Sequence, residues 1–168
     1  MNTLLEVAEM LRNASTIAIT AHVRPDGDAI GASLGLSRLL RAAGKKTTIF
    51  DLSPIPDRYR FLLKAGECCE AEAFEFSTAD CIVVLDSGAM DRSSPAVAQR
   101  EETIPVINID HHLSNTLFGR VNVVDTTASS AGEMVCDLAR AAELSIPADA
   151  AEALWVAIVT DTGRFSYS

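Results

Sequence analysis

Short, continuous apolar runs alternate along the chain with longer segments of helical periodicity, and this alternation restricts the fold more than any other feature. The apolar runs predict five β-strands, at residues 16–20, 46–51, 80–85, 104–109 and 121–124. Helical spacing and helix-boundary residues predict helices at residues 28–43, 57–65, 95–100, 130–142 and 148–159. Because alternating strands and helices form βαβ units, we expect an α/β fold with a mostly parallel five-stranded sheet and helices on both faces.

Length and charge narrow the possible functions. The 168 residues suit one domain, and no apolar run is long enough to cross a bilayer, so no membrane association is expected. The first residues do not resemble a secretory signal, and the four cysteines form no CxxC pair, which favours a reducing cytoplasm. A net charge of -9 disfavours binding to long duplex nucleic acid.

Acidic residues and histidines follow the predicted strands and the last helix, at the points where these elements end. They are His22, Asp26, Asp28, Asp86, Asp110, His111, His112 and Asp161. Because the carboxyl ends of parallel strands meet at one edge of a sheet, we expect these side chains to converge there. All three histidines of the chain belong to this set, which argues against a chance arrangement of turn residues.

Converging carboxylates need compensating positive charge. Two unit charges about 4 Å apart repel by roughly 4 kcal/mol at an effective dielectric constant of 20. A mixed set of carboxylate and imidazole ligands suits Mn²⁺, Mg²⁺, Fe²⁺ or Zn²⁺, and the number of ligands suggests two ions. A two-metal centre activates water and stabilises phosphoryl oxygens, so the sequence predicts hydrolysis of phosphoesters or phosphoanhydrides.

Four motifs in this order and spacing resemble the DHH phosphoesterase superfamily over nearly the whole chain. They are HVRPDGDA at 22–29, Asp86 in VVLDSG, NIDHHLSN at 108–115 and Asp161 in VTDTGRFSYS at 159–168. Together with ASSAGE at 128–133, these motifs most resemble the branch of nanoRNases and pAp phosphatases. Ala131 departs from the Thr expected in that branch, which affects no metal ligand.

The resemblance implies a role for each motif residue. His22, Asp26 and Asp86 would hold one metal ion. A second ion would be held by Asp28, Asp86, His111 and Asp161, with Asp86 bridging the two. His112 would face the substrate phosphate, and Asp110 would orient a histidine. Family members typically use Mn²⁺, with a hydroxide between the metal ions as the nucleophile.

The same resemblance implies a substrate class and a larger architecture. Branch members degrade short single-stranded RNA and dephosphorylate 3'-phosphoadenosine 5'-phosphate (pAp). Their substrates also contact a second, C-terminal lobe, so we expect residues 1–168 to be the metal-binding catalytic domain without that lobe. Family members commonly form dimers, so a homodimer is considered, although the sequence gives no signal of its own for one.

Alternatives remain open at this stage. An inorganic pyrophosphatase of the same superfamily would share the metal ligands, and a fragment without the second lobe could bind metal without turnover. Ser130 is interpreted as a helix cap or as a phosphate contact, and Arg164 as a substrate contact or an ion-pair partner. Gly27, Gly31 and Gly35 predict close packing of a helix on the sheet, and Trp155, in an apolar run, is expected in the core.

Overall fold

A computed structural model describes residues 2–166 and shows a single parallel β-sheet covered on both faces. The strand order is β3-β2-β1-β4-β5-β6, and every neighbouring pair is parallel. The strands are β1 (Thr16–Thr20), β2 (Lys46–Phe50), β3 (Cys68–Cys69), β4 (Cys81–Leu85), β5 (Val106–Asp110) and β6 (Val121–Val124). Tyr167 and Ser168, which end the fourth motif, lie outside the described residues.

Residues 2–166 also form five α-helices and several short 3-10 turns. The helices are α1 (Leu4–Asn13), α2 (Gly27–Ala42), α3 (Pro95–Ala98), α4 (Ala131–Ala141) and α5 (Ala148–Asp161). The predicted helix at 57–65 is a 3-10 turn at Asp57–Leu62. None of the helices in residues 2–166 has the length and apolarity that crossing a membrane requires.

The predicted α/β class and parallel sheet are confirmed, but the predicted strand count of five is wrong. The sixth strand, β3, has only two residues, which is too short for a period-two pattern to be recognised. Helix α1 was not predicted either. That helix does carry a recognisable signal, because Thr3 and Glu6 form a reciprocal capping box at its start.

The two faces of the sheet are covered unequally. Helices α1, α2, α4 and α5 cover one face, where they bury the larger apolar cluster, including Ile17, Leu36 and Ile107. On the other face, α3 and short 3-10 turns pack on a smaller cluster that includes Phe50 and Phe76. β4 and β5 are buried on both sides, as their continuous apolar sequences predict.

The strand order places a topological switch point between β1 and β4. From β1 the chain proceeds outward to β2 and β3, whereas β4 to β6 extend in the opposite direction. Open parallel sheets bind ligands in the crevice at the carboxyl ends of the strands that flank such a point. The segments that follow β1 and β4 contain His22, Asp26 and Asp86, so the fold directs these residues to that crevice.

The glycine stripe on α2 packs directly against α5, whereas the sequence predicted that it packs on the sheet. A methyl group at Gly31 would lie 2.4 Å from the carbonyl oxygen of Ala153 and 2.8 Å from the nitrogen of Ala157. At Gly27 it would lie 2.3 Å from the Thr160 hydroxyl oxygen. Only a residue without a side chain permits this approach, which holds the C-terminal end of α5 beside the N-terminal end of α2.

We expect Gly31→Ala to destabilise the protein by about 1 to 3 kcal/mol through overpacking, although alanine normally favours a helix by about 1 kcal/mol. Gly35→Ala is the matched comparison, because its methyl group would meet side-chain atoms of Leu154, the nearest at 2.5 Å, rather than backbone atoms. Gly35→Ala should therefore destabilise the protein less than Gly31→Ala does. Urea unfolding of both variants measures the difference, and a Gly31→Ala variant as stable as the parent would contradict the packing argument.

A buried ion pair joins α2 to the segment that precedes β3, and its arginine also bonds to the first turn of α5. The Arg38 guanidinium donates two hydrogen bonds of 2.8 Å to the Glu67 carboxylate and one of 2.8 Å to the carbonyl of Asp149. It also donates to the carbonyl of Leu62. The Arg38 and Glu67 side chains are 4% and 5% exposed, respectively.

Candidate metal centre

The first group of converging side chains contains His22, Asp26 and Asp86. His22 Nε2 lies 3.8 Å from Asp26 Oδ1 and 3.4 Å from Asp86 Oδ2. The other ring nitrogen, Nδ1, is 2.9 Å from the carbonyl of Val23, so it donates there when Nε2 is the free nitrogen. Asp26 caps α2 by accepting from the backbone N–H of Asp28, which fixes its carboxylate at the helix start.

A second group combines His111 with three carboxylates. His111 Nε2 lies 3.4 Å from Asp86 Oδ1, 3.5 Å from Asp161 Oδ2 and 3.8 Å from Asp28 Oδ2. Asp161 is the last residue of α5, and Asp28 lies in the first turn of α2. The close packing of those two helices therefore brings these two carboxylates to the same imidazole.

Asp86 belongs to both groups. Its Oδ2 faces His22, and its Oδ1 faces His111. Its backbone has a φ of 51°, a left-handed conformation that Asp tolerates better than most residues and that ends β4 abruptly. The side chain is 3% exposed, and Oδ1 is buried without a hydrogen-bond partner. A buried carboxylate oxygen left in this state is costly, which suggests that a further positive group belongs beside it.

His112 and Asp110 form a hydrogen-bonded pair at the edge of the cluster, where His112 Nδ1 also lies 3.6 Å from Asp86 Oδ1. His112 Nδ1 lies 2.7 Å from Asp110 Oδ1, and the imidazole is 39% exposed. Asp110 is fully buried, and its other oxygen accepts from Asn115 Nδ2 at 2.6 Å. No role was predicted for Asn115, although this residue ends the third motif.

The N-terminus of α4 holds Asp28. Its carboxylate accepts from the backbone N–H groups of Ala131 at 2.6 Å and Gly132 at 2.9 Å. Ser130 is fully buried and caps α4 by accepting from the Glu133 N–H at 3.0 Å. The structure thus gives Ser130 a capping role, and the helix N–H groups considered as phosphate contacts are bonded to Asp28.

Electrostatic coupling perturbs the protonation of the cluster. Asp26, with Asp86, raises the pKa of His22 to about 10, and Asp86 raises that of His111 to about 9. Burial and repulsion from Asp86 raise the pKa of Asp28 to about 8. Burial also opposes ionisation of Asp86, but the two histidines outweigh it and lower its pKa. In the absence of other cations, protons must neutralise this cluster.

Arg164 and Trp155, which lie near the end of the chain, are outside the cluster. Arg164 is exposed, has a φ of 61° and forms no salt bridge within residues 2–166, so the predicted ion pair is not found there. The expectation that Trp155 lies in the core is wrong, because its side chain is 59% exposed. α5 is apolar around most of its circumference, so periodicity could not show which apolar residue faces outward.

Together, the switch-point crevice and the two carboxylate–histidine groups define a parallel α/β domain with a candidate two-metal centre. The model of the DHH family's N-terminal domain matches residues 16–158, and the chain belongs to the DHH family. The match covers the first three motifs and ends at residue 158, directly before the fourth motif at 159–168, which contains Asp161.

Individual relatives agree with this assignment. A bifunctional oligoribonuclease and PAP phosphatase, NrnA, from Thermus thermophilus is 38% identical over 163 residues, which are 96% of this chain and 48% of the relative. An exopolyphosphatase-related protein from Bacteroides fragilis superposes with a TM-score of 0.87 at 29% identity, covering 98% of this chain and 51% of that one. The chain thus spans about half the length of these relatives.

A more distant structure shows only the shared fold. RecJ from Thermus thermophilus, described in complex with Mn²⁺, has a TM-score of 0.59 and 19% identity. It covers 95% of this chain, and this chain accounts for 24% of its length.

Proposed function

We propose that the carboxylate–histidine cluster binds two divalent cations, first of all Mn²⁺, and is the catalytic centre of a phosphoesterase. His22, Asp26 and Asp86 would hold one ion. Asp28, Asp86, His111 and Asp161 would hold the other, with one Asp86 oxygen directed to each. The observation that carries this proposal is the position of Asp86, whose buried oxygens face different histidines at 3.4 Å each.

Distances within the cluster fit metal ligands better than hydrogen bonds. The histidine nitrogens and carboxylate oxygens are 3.4 to 3.8 Å apart, beyond the usual hydrogen-bond range. Two ligand atoms that each lie about 2.1 Å from one cation are about 3.0 to 3.4 Å apart in octahedral or tetrahedral geometry. Small side-chain movements would therefore close both groups around ions, and the mixed oxygen and nitrogen ligands suit Mn²⁺.

The remaining residues of the cluster have supporting roles in the proposed reaction. Bound cations would supply an activated water and offset negative charge on the phosphoryl oxygens. His112, held by Asp110, would direct its exposed ring edge at the substrate phosphate. The Asp110 carboxylate raises the pKa of His112, so the imidazole can carry a proton and donate it to a phosphoryl or leaving oxygen.

Short oligoribonucleotides and pAp are the proposed substrates. The Thermus thermophilus relative is named for activity on both, and it shares 38% of its aligned residues with this chain. A net charge of -9 is consistent with a local phosphate site rather than a long nucleic-acid surface. We also propose that residues 1–168 act as a metal-binding catalytic domain in the cytoplasm.

Calorimetric titration of Mn²⁺ into metal-stripped protein tests the centre, and hydrolysis assays test the reaction. We expect two equivalents to bind, followed by hydrolysis of pApA and pAp in preference to pyrophosphate. Preference for pyrophosphate would replace the proposed substrate class with a pyrophosphatase. Two bound equivalents without turnover would reduce the proposal to a metal-binding domain, and no binding by the folded chain would contradict it.

A further inference from the structure

A cavity of about 670 Å³ lies beside the C-terminal end of α5 and outside the carboxylate–histidine cluster. Its walls include Arg58, Tyr59, Phe61, Val159, Thr160 and Arg164. We call it the Arg58–Arg164 cavity. One wall residue, Thr160, also packs against Gly27 in the first turn of α2 and directly precedes Asp161. The cavity therefore adjoins the candidate metal centre.

Its charge is opposite to that of the whole chain. Two arginines line the cavity, and no carboxylate belongs to its walls among the described residues, whereas the chain carries a net charge of -9. The Arg58 guanidinium lies 4.8 Å from the centre of the Tyr59 ring, which restrains it by a cation–π contact. Two exposed guanidinium groups without competing acids are suited to phosphate oxygens.

Phe61 is an exposed aromatic residue of the cavity wall, and Trp155 and Phe165 are the sequence neighbours of the wall residues Val156 and Arg164. The Phe61 side chain is 65% exposed, and the Trp155 and Phe165 rings, 59% and 62% exposed, lie 5.8 Å apart. Nothing in residues 2–166 covers these rings. Arginines next to exposed aromatic faces are a typical combination for single-stranded nucleic acids, because bases stack on the rings while cations bind the backbone.

We propose that the Arg58–Arg164 cavity binds one nucleotide of a single-stranded oligonucleotide whose scissile phosphate lies at the metal cluster. Arg58 and Arg164 would bind a phosphate, and Phe61 would stack on a base. This assignment rests on the proposed function and adds to it a nucleotide subsite on the metal-binding domain itself.

Binding of unlabelled pApApA in EDTA tests the cavity without metal or turnover, with the chain's single tryptophan, Trp155, as the fluorescent reporter. We expect the dissociation constant to rise about tenfold in Arg58→Ala and in Phe61→Ala. The slope of log K against log salt should fall by about 0.7 in Arg58→Ala, because one phosphate contact is lost. A variant that is merely less well folded would bind more weakly, but the salt dependence of its binding would not decrease.

Arg60→Ala is the matched control, because Arg60 lies on the same 3-10 turn but is paired with Asp57 at 2.9 Å and does not line the cavity. It should bind pApApA like the parent. Equal binding by the parent, Arg58→Ala and Phe61→Ala would overturn the subsite. So would a dimer, seen by sedimentation, that Phe61→Ala dissociates, since a second copy would then cover the cavity. Two Mn²⁺ equivalents in the parent would leave the proposed metal centre standing after either result.

Discussion

Replacing Asp86 by Asn is expected to abolish hydrolysis and to weaken Mn²⁺ binding at both positions of the cluster. The change keeps the side-chain shape but removes the negative charge. In the parent, the two carboxylate oxygens lie 3.4 Å from His22 Nε2 and from His111 Nε2, respectively. Loss of a group that merely supports a metal ligand costs about 10- to 100-fold in affinity or activity. Loss of a shared ligand should exceed this, so we expect at least about a 100-fold decrease in Mn²⁺ affinity and activity near background.

Asp125→Asn is the control for this experiment. Asp125 follows β6 at the same edge of the sheet, but it is exposed and belongs to neither of the two carboxylate–histidine groups. Its carboxylate instead accepts from Thr127. This variant should bind two equivalents of Mn²⁺ like the parent. Calorimetry after metal removal measures both variants, with circular dichroism to verify their folds.

One intermediate result would be especially informative. If Asp86→Asn lost one equivalent and bound the other with unchanged affinity, Asp86 would serve a single ion and would not bridge. The proposed assignment of Asp86 would then be wrong, although a metal centre would remain. Unchanged stoichiometry and affinity for both ions would remove Asp86 from the centre altogether.

The cluster could be located from the sequence because a parallel sheet brings the residues that follow its strands to one edge. Each continuous apolar run marked a strand, and the polar residues after it had to lie at the same sheet edge. His22, Asp86 and His111 could be placed in this way without any knowledge of strand order. Their convergence is therefore a consequence of parallel topology, which the alternation of strands and helices indicates.

Other features depend on contacts between distant segments and have no local signal. Asp28 accepts from Ala131 and Gly132, more than 100 residues later, and no spacing rule connects them. The outward face of Trp155 depends on how α5 packs against α2, since α5 is apolar on most sides. By contrast, α1 was predictable from its capping box, whereas the two residues of β3 were not.

The largest expected effect on stability comes from the Arg38–Glu67 pair, neither residue of which belongs to the carboxylate–histidine cluster. Arg38→Met keeps the apolar stem but leaves the Glu67 carboxylate buried without its guanidinium. Breaking a buried ion pair on one side typically costs about 3 to 5 kcal/mol. Urea unfolding at pH 7 should show a loss of this size. Arg140→Met, which removes a surface pair with Asp137 from a side chain that is 81% exposed, should cost at most about 1 kcal/mol.

Lowering the pH should reduce the loss of stability that Arg38→Met causes. Burial opposes ionisation of Glu67, but Arg38 and the Lys64 N–H outweigh it and hold the pKa below its ordinary value of 4.5. The pair therefore stabilises the parent fully above pH 4.5, and this contribution is lost as the pH falls through the lowered pKa of the folded state. In the variant, burial without a partner favours the protonated carboxyl. The difference in unfolding free energy should thus be smaller at pH 4 than at pH 7, and an equal or larger difference at pH 4 would show that the loss arises from packing rather than from the unpaired charge.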